Sequence, residues 1–255
     1  MYTEDIAIKA LKSGADLSDQ SYATWWLGKM RSRHPETIGL LIRKLSTLQQ
    51  SEASVDERAV GLNAIRSLGT LNALEAGEPL IALLNINDVQ IRAEVARSLG
   101  TMKLTSAKVP LASLLRLHGD ESLTDPQEED MLRAVMKAIG MIGNPDSSTR
   151  ATLEGFSHHP QPLLRSASCC ALLRLTGLAA WSEPIKVLLH HDDPLVRRGA
   201  LLDLGSSGWA DALDPIQSAA VENSLKLIAL KSLAEEQPME DQPNEAVLNA
   251  MDRLL

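Results

Sequence analysis

The sequence predicts an all-α protein built as an array of about seven stacked helix pairs, and three observations carry that expectation. The stretch Ile91-Arg92-Ala93-Glu94-Val95-Ala96-Arg97-Ser98-Leu99-Gly100 returns along the chain as a recurring pattern. Aligned on its Gly, the register positions are Gly28, Gly69, Gly100, Gly140, Leu173, Gly205 and Ala234, separated by 41, 31, 40, 33, 32 and 29 residues. The basic period is therefore near thirty-one, with two insertions of about ten residues. The apolar positions are filled by Leu, Ala, Ile and Val while aromatic residues make up 3% of the chain, which suits helices better than strands.

In the first repeat, Asp5 to Leu11 reads as helix A, Ser13-Gly14-Ala15-Asp16 as the turn and Ser21 to Met30 as helix B. The second helix A begins near Pro35-Glu36, Pro being suited to a first helical turn, and carries Ile38, Leu41, Ile42 and Leu45 at helical spacing. Its helix B is Arg58 to Leu71. The polar segment from Thr47 to Asp56 is the first insertion, and the segment from His118 to Pro126 is the second. The third repeat runs from Glu78-Pro79 through Leu80, Leu83 and Leu84 to a turn at 85–88 and then the template helix. The fourth has Leu111, Leu114 and Leu115 and resumes at Met131 after its insertion; the fifth has Leu153 and Phe156 before the turn at 157–162. The sixth has Ile185, Leu188 and Leu189 before His190-His191-Asp192-Asp193-Pro194, and the seventh has Ile216 before Glu222-Asn223-Ser224. Residues 246–255 form a last helix that caps the array, and 1–255 is expected to be a single repeat domain without an internal boundary.

Position by position, helix B separates a seam from an open face. One residue before the register position stand Leu27, Leu68, Leu99, Ile139, Leu172, Leu204 and Leu233, and five before stand Ala23, Ala64, Val95, Val135, Ser168, Ala200 and Ala229. These two rows form the buried seam. Three before stand Trp25, Arg66, Arg97, Lys137, Cys170, Leu202 and Lys231, a row unsuited to a core, and one turn to either side adds Lys29, Arg133, Arg174 and Arg198. This face is expected to line the concave surface of the array.

With 44% hydrophobic residues and a mean hydropathy of -0.07, the chain can bury a large core. Its net charge of -8 opposes general binding to nucleic acid. No apolar run approaches a membrane span, the start Met1-Tyr2-Thr3-Glu4-Asp5 lacks the basic and apolar pattern of a signal peptide, and two adjacent cysteines make no disulfide framework. A soluble cytoplasmic protein is expected.

Ser21-Tyr22-Ala23-Thr24-Trp25-Trp26-Leu27-Gly28-Lys29 resembles the Tyr-Ala-x-Trp-Trp-Leu-Gly-Lys helix of the E subunit of E/F-type phycobilin lyases, within the phycobilisome-lyase group of HEAT-like repeats. Glu222 to Lys231 resembles that subunit's C-terminal repeat, and the likeness covers nearly the whole chain, insertions included. The resemblance implies a right-handed solenoid of HEAT-like pairs that associates with a homologous F-type subunit. It also implies binding of a linear tetrapyrrole of phycocyanobilin type, as substrate rather than tightly bound cofactor, and its thioether attachment to a cysteine of a phycocyanin-type α subunit. Some relatives also isomerise the bilin or detach it.

A bilin presents two propionates, a curved apolar face and pyrrole nitrogens, so it calls for cations, a stacking platform and a carboxylate. Arg66, Arg97 and Lys137 stand on successive repeats, ~10 Å apart, with Arg133 adding to the same face, and match the acidic edge. Trp25 offers the platform, Trp26 is expected to pack into the neighbouring repeat, and Glu94 or Asp203 to face the pyrrole nitrogens. Solvated surface cations are the competing reading of this row. Arg92, Arg165, Arg197 and Lys226 recur eight residues before the register position and are expected to tie turn carboxylates such as Asp88 and Asp193 into an inter-repeat ladder, or to meet a partner. His158-His159 and His190-His191 stand at matching turns, a coincidence the repeat itself explains, and no metal is assigned. Cys169-Cys170 admits two readings, a covalent relay or small buried residues. No Ser-His-Asp order, phosphate-cradling Gly loop or Cys-x-x-Cys pair is present. The readings that stay open are a lyase subunit, a repeat scaffold that binds protein without chemistry, and a detachment factor for phycobilisome turnover.

Overall fold

The computed structural model describes residues 1–49, 53–117, 125–236 and 245–254, and among these every regular element is helical. Seven helix pairs follow one another: α1 (Glu4–Lys12) with α2 (Leu17–Lys29), α3 (Thr37–Leu45) with α4 (Val55–Thr70), α5 (Gly77–Leu83) with α6 (Val89–Thr101), and α7 (Lys108–Leu117) with α8 (Pro126–Ile142). They continue as α9 (Ser147–Phe156) with α10 (Pro162–Thr176), α11 (Ser182–Leu188) with α12 (Pro194–Ser206), and α13 (Leu213–Ser218) with α14 (Asn223–Glu236). A last helix, α15 (Glu245–Asp252), buries Val247 and Ala250 beside α14.

Several B helices begin earlier than their apolar pattern. Asp16 caps α2 by accepting the Asp19 N–H, and Ser54 with Glu57 forms a capping box on α4. These caps draw residues 17–20 and 55–57 into the helices. Short 3-10 segments, Leu74–Ala76, Thr105–Ala107, Ala179–Trp181 and Ala210–Ala212, lead into α5, α7, α11 and α13 and were not expected from periodicity. The first insertion is not wholly polar, because its 3-10 turn Ser46–Gln49 buries Leu48 against Gly61 of α4. Most of the second insertion, residues 118–124, lies outside the described residues, as does residue 255 of the final helix.

The chain packs as two units, Met1–Ala138 and Ile139–Leu255. In the first, consecutive B helices α2, α4 and α6 lie against one another, and Ala23, Leu27, Ala64, Leu68, Val95 and Leu99 are all buried between layers. Ser67 Oγ donates to the Thr24 carbonyl at 2.7 Å and Ser98 Oγ to the Ile65 carbonyl at 3.0 Å, so each B helix is pinned to the one before. In the second unit, Ser168, Leu172, Ala200, Leu204, Ala229 and Leu233 fill the same two rows and are equally buried. The predicted seam is therefore the observed core.

The B helices end in a repeated way. The residue three beyond the register position is left-handed at Arg31 (φ 51°), Asn72 (φ 53°), Lys103 (φ 48°), Gly143 (φ 77°) and Gly208 (φ 71°). The following N–H then bonds back across the last turn, as in Leu104 N to the Leu99 carbonyl at 3.1 Å. This turn reverses the chain into the next A helix.

Candidate functional site

Three aromatic residues of α2, Tyr22, Trp25 and Trp26, gather with Tyr2, which precedes α1, in the first unit. Trp25 is 43% exposed, and its ring lies 5.5 Å from that of Tyr22 at an interplanar angle of 35°. Tyr2 meets Tyr22 edge-on at 4.7 Å. Trp26 makes a ring contact with Tyr2, at 5.8 Å and 56°, within its own repeat. Tyr22 was legible in the sequence, since it stands three residues before Trp25 on one helix face; Tyr2 was not, because it precedes α1.

At the same register on α4 and α6 stand Arg66 and Arg97, and they are not bare cations. Arg66 is 50% exposed and donates Nη2 to Glu94 Oε1 at 2.9 Å and Nε to Glu94 Oε2 at 3.1 Å. Arg97, 39% exposed, donates Nη1 to the same Glu94 Oε1 at 3.1 Å and Nη2 to Asp130 Oδ2 of α8 at 2.5 Å. Glu94 is only 13% exposed. The hydrogen bonds from Glu94 raise the Arg66 pKa above its ordinary value against the opposing effect of burial. The result is one chain of charges, Arg66–Glu94–Arg97–Asp130, linking three successive B helices. Glu94, the carboxylate expected to face pyrrole nitrogens, accepts from both guanidiniums.

Lys137 is exposed at the next position of the row and has no ion-pair partner among the described residues. Arg133, half-buried one turn away, lies near Glu129, whose pKa is raised by burial although Arg133 opposes the shift.

In the second unit the row changes character. Cys170 is buried, Leu202 half-buried and only Lys231 exposed, so the expectation of an open row fails at Cys170. Arg174 is held by Glu236 at 2.8 Å and by the Ser206 carbonyl, and Arg198 is paired with Glu222. Asp203, the other carboxylate expected to face a pyrrole, belongs to this unit, and its carbonyl accepts from Cys170 Sγ at 3.0 Å. Burial pushes the Cys169 thiol up to about 11. Both cysteines are buried and outside any disulfide, the environment of inert thiols.

The residues eight before the register position seal carbonyls, not carboxylates. Arg197 donates to the carbonyls of His191 at 2.7 Å, Asp192 at 3.0 Å and, one repeat on, Ala220 at 3.2 Å. Lys226 reaches the Gln217 carbonyl at 2.6 Å and Arg165 that of His159 at 3.5 Å, while the Arg92 Nε is buried with no hydrogen-bond partner among the described residues. The expected Asp88 and Asp193 partners are already used. Asp88 takes both Nε and Nη2 of Arg58, at 2.7 and 2.9 Å, and Asp193 caps α12 through the Leu195 N–H. The histidines are turn residues too: His159 Nδ1 accepts the Gln161 N–H at 3.1 Å and His191 Nδ1 the Asp193 N–H at 3.0 Å. Among the described residues no three His, Cys, Asp or Glu side chains converge as metal ligands.

The PBS lyase HEAT-like repeat model matches residues 60–85 and 196–222, each a B helix followed by the next A helix. A bilin biosynthesis protein, RpcE, of Synechococcus sp. (strain WH8020) is 50% identical over 99% of this chain and 95% of its own. The phycocyanobilin lyase subunit alpha of Synechococcus elongatus is 34% identical over 99% and 96%. In the solved complex of CpcE and CpcF of phycocyanin lyase from Nostoc sp. PCC7120, the matching chain superposes with a TM-score of 0.80 at 33% identity, covering all of this chain and 96% of that one. With end-to-end likeness at these identities, and with the stacked helix pairs that the likeness requires, the chain belongs to the E-type subunit family of the phycobilin lyases.

Proposed function

We propose that this chain is one subunit of a two-subunit phycobilin lyase. With an F-type partner it binds a linear tetrapyrrole and promotes its thioether attachment to a cysteine of a phycocyanin-type α subunit. The observation that carries the reading at residue level is the open face of the first unit. There the exposed Trp25–Tyr22 pair stands on the B helix next to the Arg66–Glu94–Arg97 cluster, with Lys137 further along the same row. An aromatic platform beside paired guanidiniums suits an apolar, curved ligand with two carboxylates.

In this reading the attacking thiol comes from the acceptor protein, and this chain contributes binding, orientation and exclusion of water. Trp25 stacks on the pyrrole face, Arg66, Arg97 and Lys137 take the propionates, and Arg133 strengthens the local positive field. Trp26 and the turn cations Arg92, Arg165, Arg197 and Lys226 keep the framework. Two buried cysteines outside any disulfide suit a reducing compartment, the cytoplasm. No helix among the described residues is long and apolar enough to cross a membrane.

The test is co-expression with an F-type subunit, a phycocyanin-type α subunit and a phycocyanobilin supply, reading covalent bilin on the α subunit by zinc-enhanced fluorescence in a denaturing gel. Labelling that needs both subunits, and that falls at least tenfold when Arg66, Arg97 and Lys137 become Ala, is expected. A stable complex with no labelling favours the scaffold or detachment readings. Undiminished labelling in the triple variant removes the site and leaves the family.

A further inference from the structure

The two carboxylates in the Arg66–Glu94–Arg97–Asp130 chain are not equivalent. Glu94 is shielded, spans two B helices and accepts from both guanidiniums through three hydrogen bonds. Asp130 is 54% exposed and accepts from Arg97 Nη2 at 2.5 Å. Removing a shielded carboxylate shared by two guanidiniums takes from Arg66 both hydrogen bonds to Glu94 and leaves Arg97 turned to Asp130. An ion pair between two solvent-facing side chains contributes little and exchanges readily for another anion. A guanidinium carries five N–H donors in a fixed fork, so Arg66 and Arg97 keep donors for a ligand while Glu94 holds them.

We infer that these carboxylates have opposite parts in ligand capture. Glu94 is a positioning residue that holds Arg66 and Arg97 together as a carboxylate-binding pair. Asp130 is an internal competitor that a ligand carboxylate displaces from Arg97. The inference rests on the proposed bilin site and adds a selection step to it. A small monoanion gains only what Asp130 already supplies. A ligand with two carboxylates and an apolar body also engages Lys137 and the Tyr22–Trp25 platform, and so displaces Asp130 at a net gain.

The experiment compares phycocyanobilin with its dimethyl ester, titrated by visible absorbance and circular dichroism into the complex of this chain with its F-type partner. Wild type, Glu94→Gln, Asp130→Asn and the exposed control Glu75→Gln are measured. For the diacid, Asp130→Asn binds about fivefold tighter, the scale of losing one exposed competing pair. Glu94→Gln binds about tenfold weaker, the scale of losing a shielded charged hydrogen-bond partner. Neither variant shifts binding of the diester, and Glu75→Gln shifts neither ligand. Simple relief of negative charge would instead tighten the diacid in both variants.

Shifts of one sign in both variants, or no shift while wild type prefers the diacid, overturn the inference and leave the bilin site standing. A wild-type complex that binds diacid and diester alike, unaffected by R66A/R97A, overturns the bilin site itself. Should Glu94→Gln lose helicity, Glu94→Asp, which keeps the charge but shortens the reach, replaces it with the same expected direction.

Discussion

Gly69 of α4 faces Ser98 of α6, and a Cβ on Gly69 would lie 2.8 Å from Ser98 Oγ and 3.0 Å from Ser98 Cα. The register glycine is thus the point where consecutive B helices touch. Gly28 meets Ser67 in the same way, and in the second unit Gly140 meets Ala171 and Gly205 meets Ala229. Gly39, on α3, has nothing within 4 Å of a built Cβ. Gly69→Ala is therefore expected to destabilise by about 1–3 kcal/mol through overpacking, and Gly39→Ala to stabilise by roughly 0.5–1 kcal/mol. Urea denaturation of the two variants decides it; equal effects would mean that the helices part without cost at Gly69.

Lys103 ends α6 in the left-handed region at φ 48°, where Gly143 and Gly208 end the corresponding helices. A side chain with a Cβ is strained there, by about 1–2 kcal/mol. Part of that is offset by the greater freedom glycine has in the unfolded chain. Lys103→Gly is expected to raise stability by about 0.5–1 kcal/mol in urea titrations. A decrease would show that the Lys103 stem makes packing contacts worth more than the strain.

The array, its seam and its open face were legible because the seven registers repeat, so an apolar row could be checked against six others. What the sequence concealed were relations that periodicity does not encode. Glu94 stands one turn before Arg97 on α6, and Arg66 of the previous repeat and Arg97 capture it, a pairing set by helix-to-helix distance. Cys170 shares the register of Trp25 and Arg66 but is covered, its thiol bonded to the Asp203 carbonyl. Arg197 was legible as a structural cation and wrongly matched to carboxylates, because Asp193 is spent on its own helix cap. The glycine that defined the register was read as a marker, although its lack of a Cβ is what lets the B helices approach.

His159 makes a prediction about pH. Its Nδ1 accepts the Gln161 N–H, which requires the neutral ring, and burial first and Arg165 second hold its pKa below the ordinary value. A histidine whose folded pKa is depressed stabilises the fold fully above its unfolded pKa, about 6.5. That stabilisation is lost as pH falls through the lower folded value. The urea midpoint is expected to fall from pH 7 to pH 5, and to fall less in His159→Asn, whose side-chain oxygen can replace the acceptor without titrating. Parallel pH profiles for the two proteins would refute the assignment.

The cysteines offer the sharpest separation between a framework and a relay. A relay needs a thiolate within reach of the bilin, because the thiolate is the nucleophile. Cys169 is fully buried with its pKa pushed up to about 11 by desolvation and Asp203, against the lowering effect of Arg165. At pH 8 its thiolate fraction is on the order of one in a thousand. Cys170 is buried as well, donating its S–H to the Asp203 carbonyl at 3.0 Å and lying 3.7 Å from Ser206 Oγ. Ellman's reagent at pH 8 is therefore expected to label neither cysteine in the native chain and both in urea. The variant Cys169→Ala with Cys170→Ser, which keeps a donor to Asp203, is expected to support bilin attachment as wild type does. Loss of attachment with helicity and the F-type complex preserved would transfer the covalent step to this chain; retention leaves the acceptor's cysteine as the nucleophile and confines this subunit to binding and orientation.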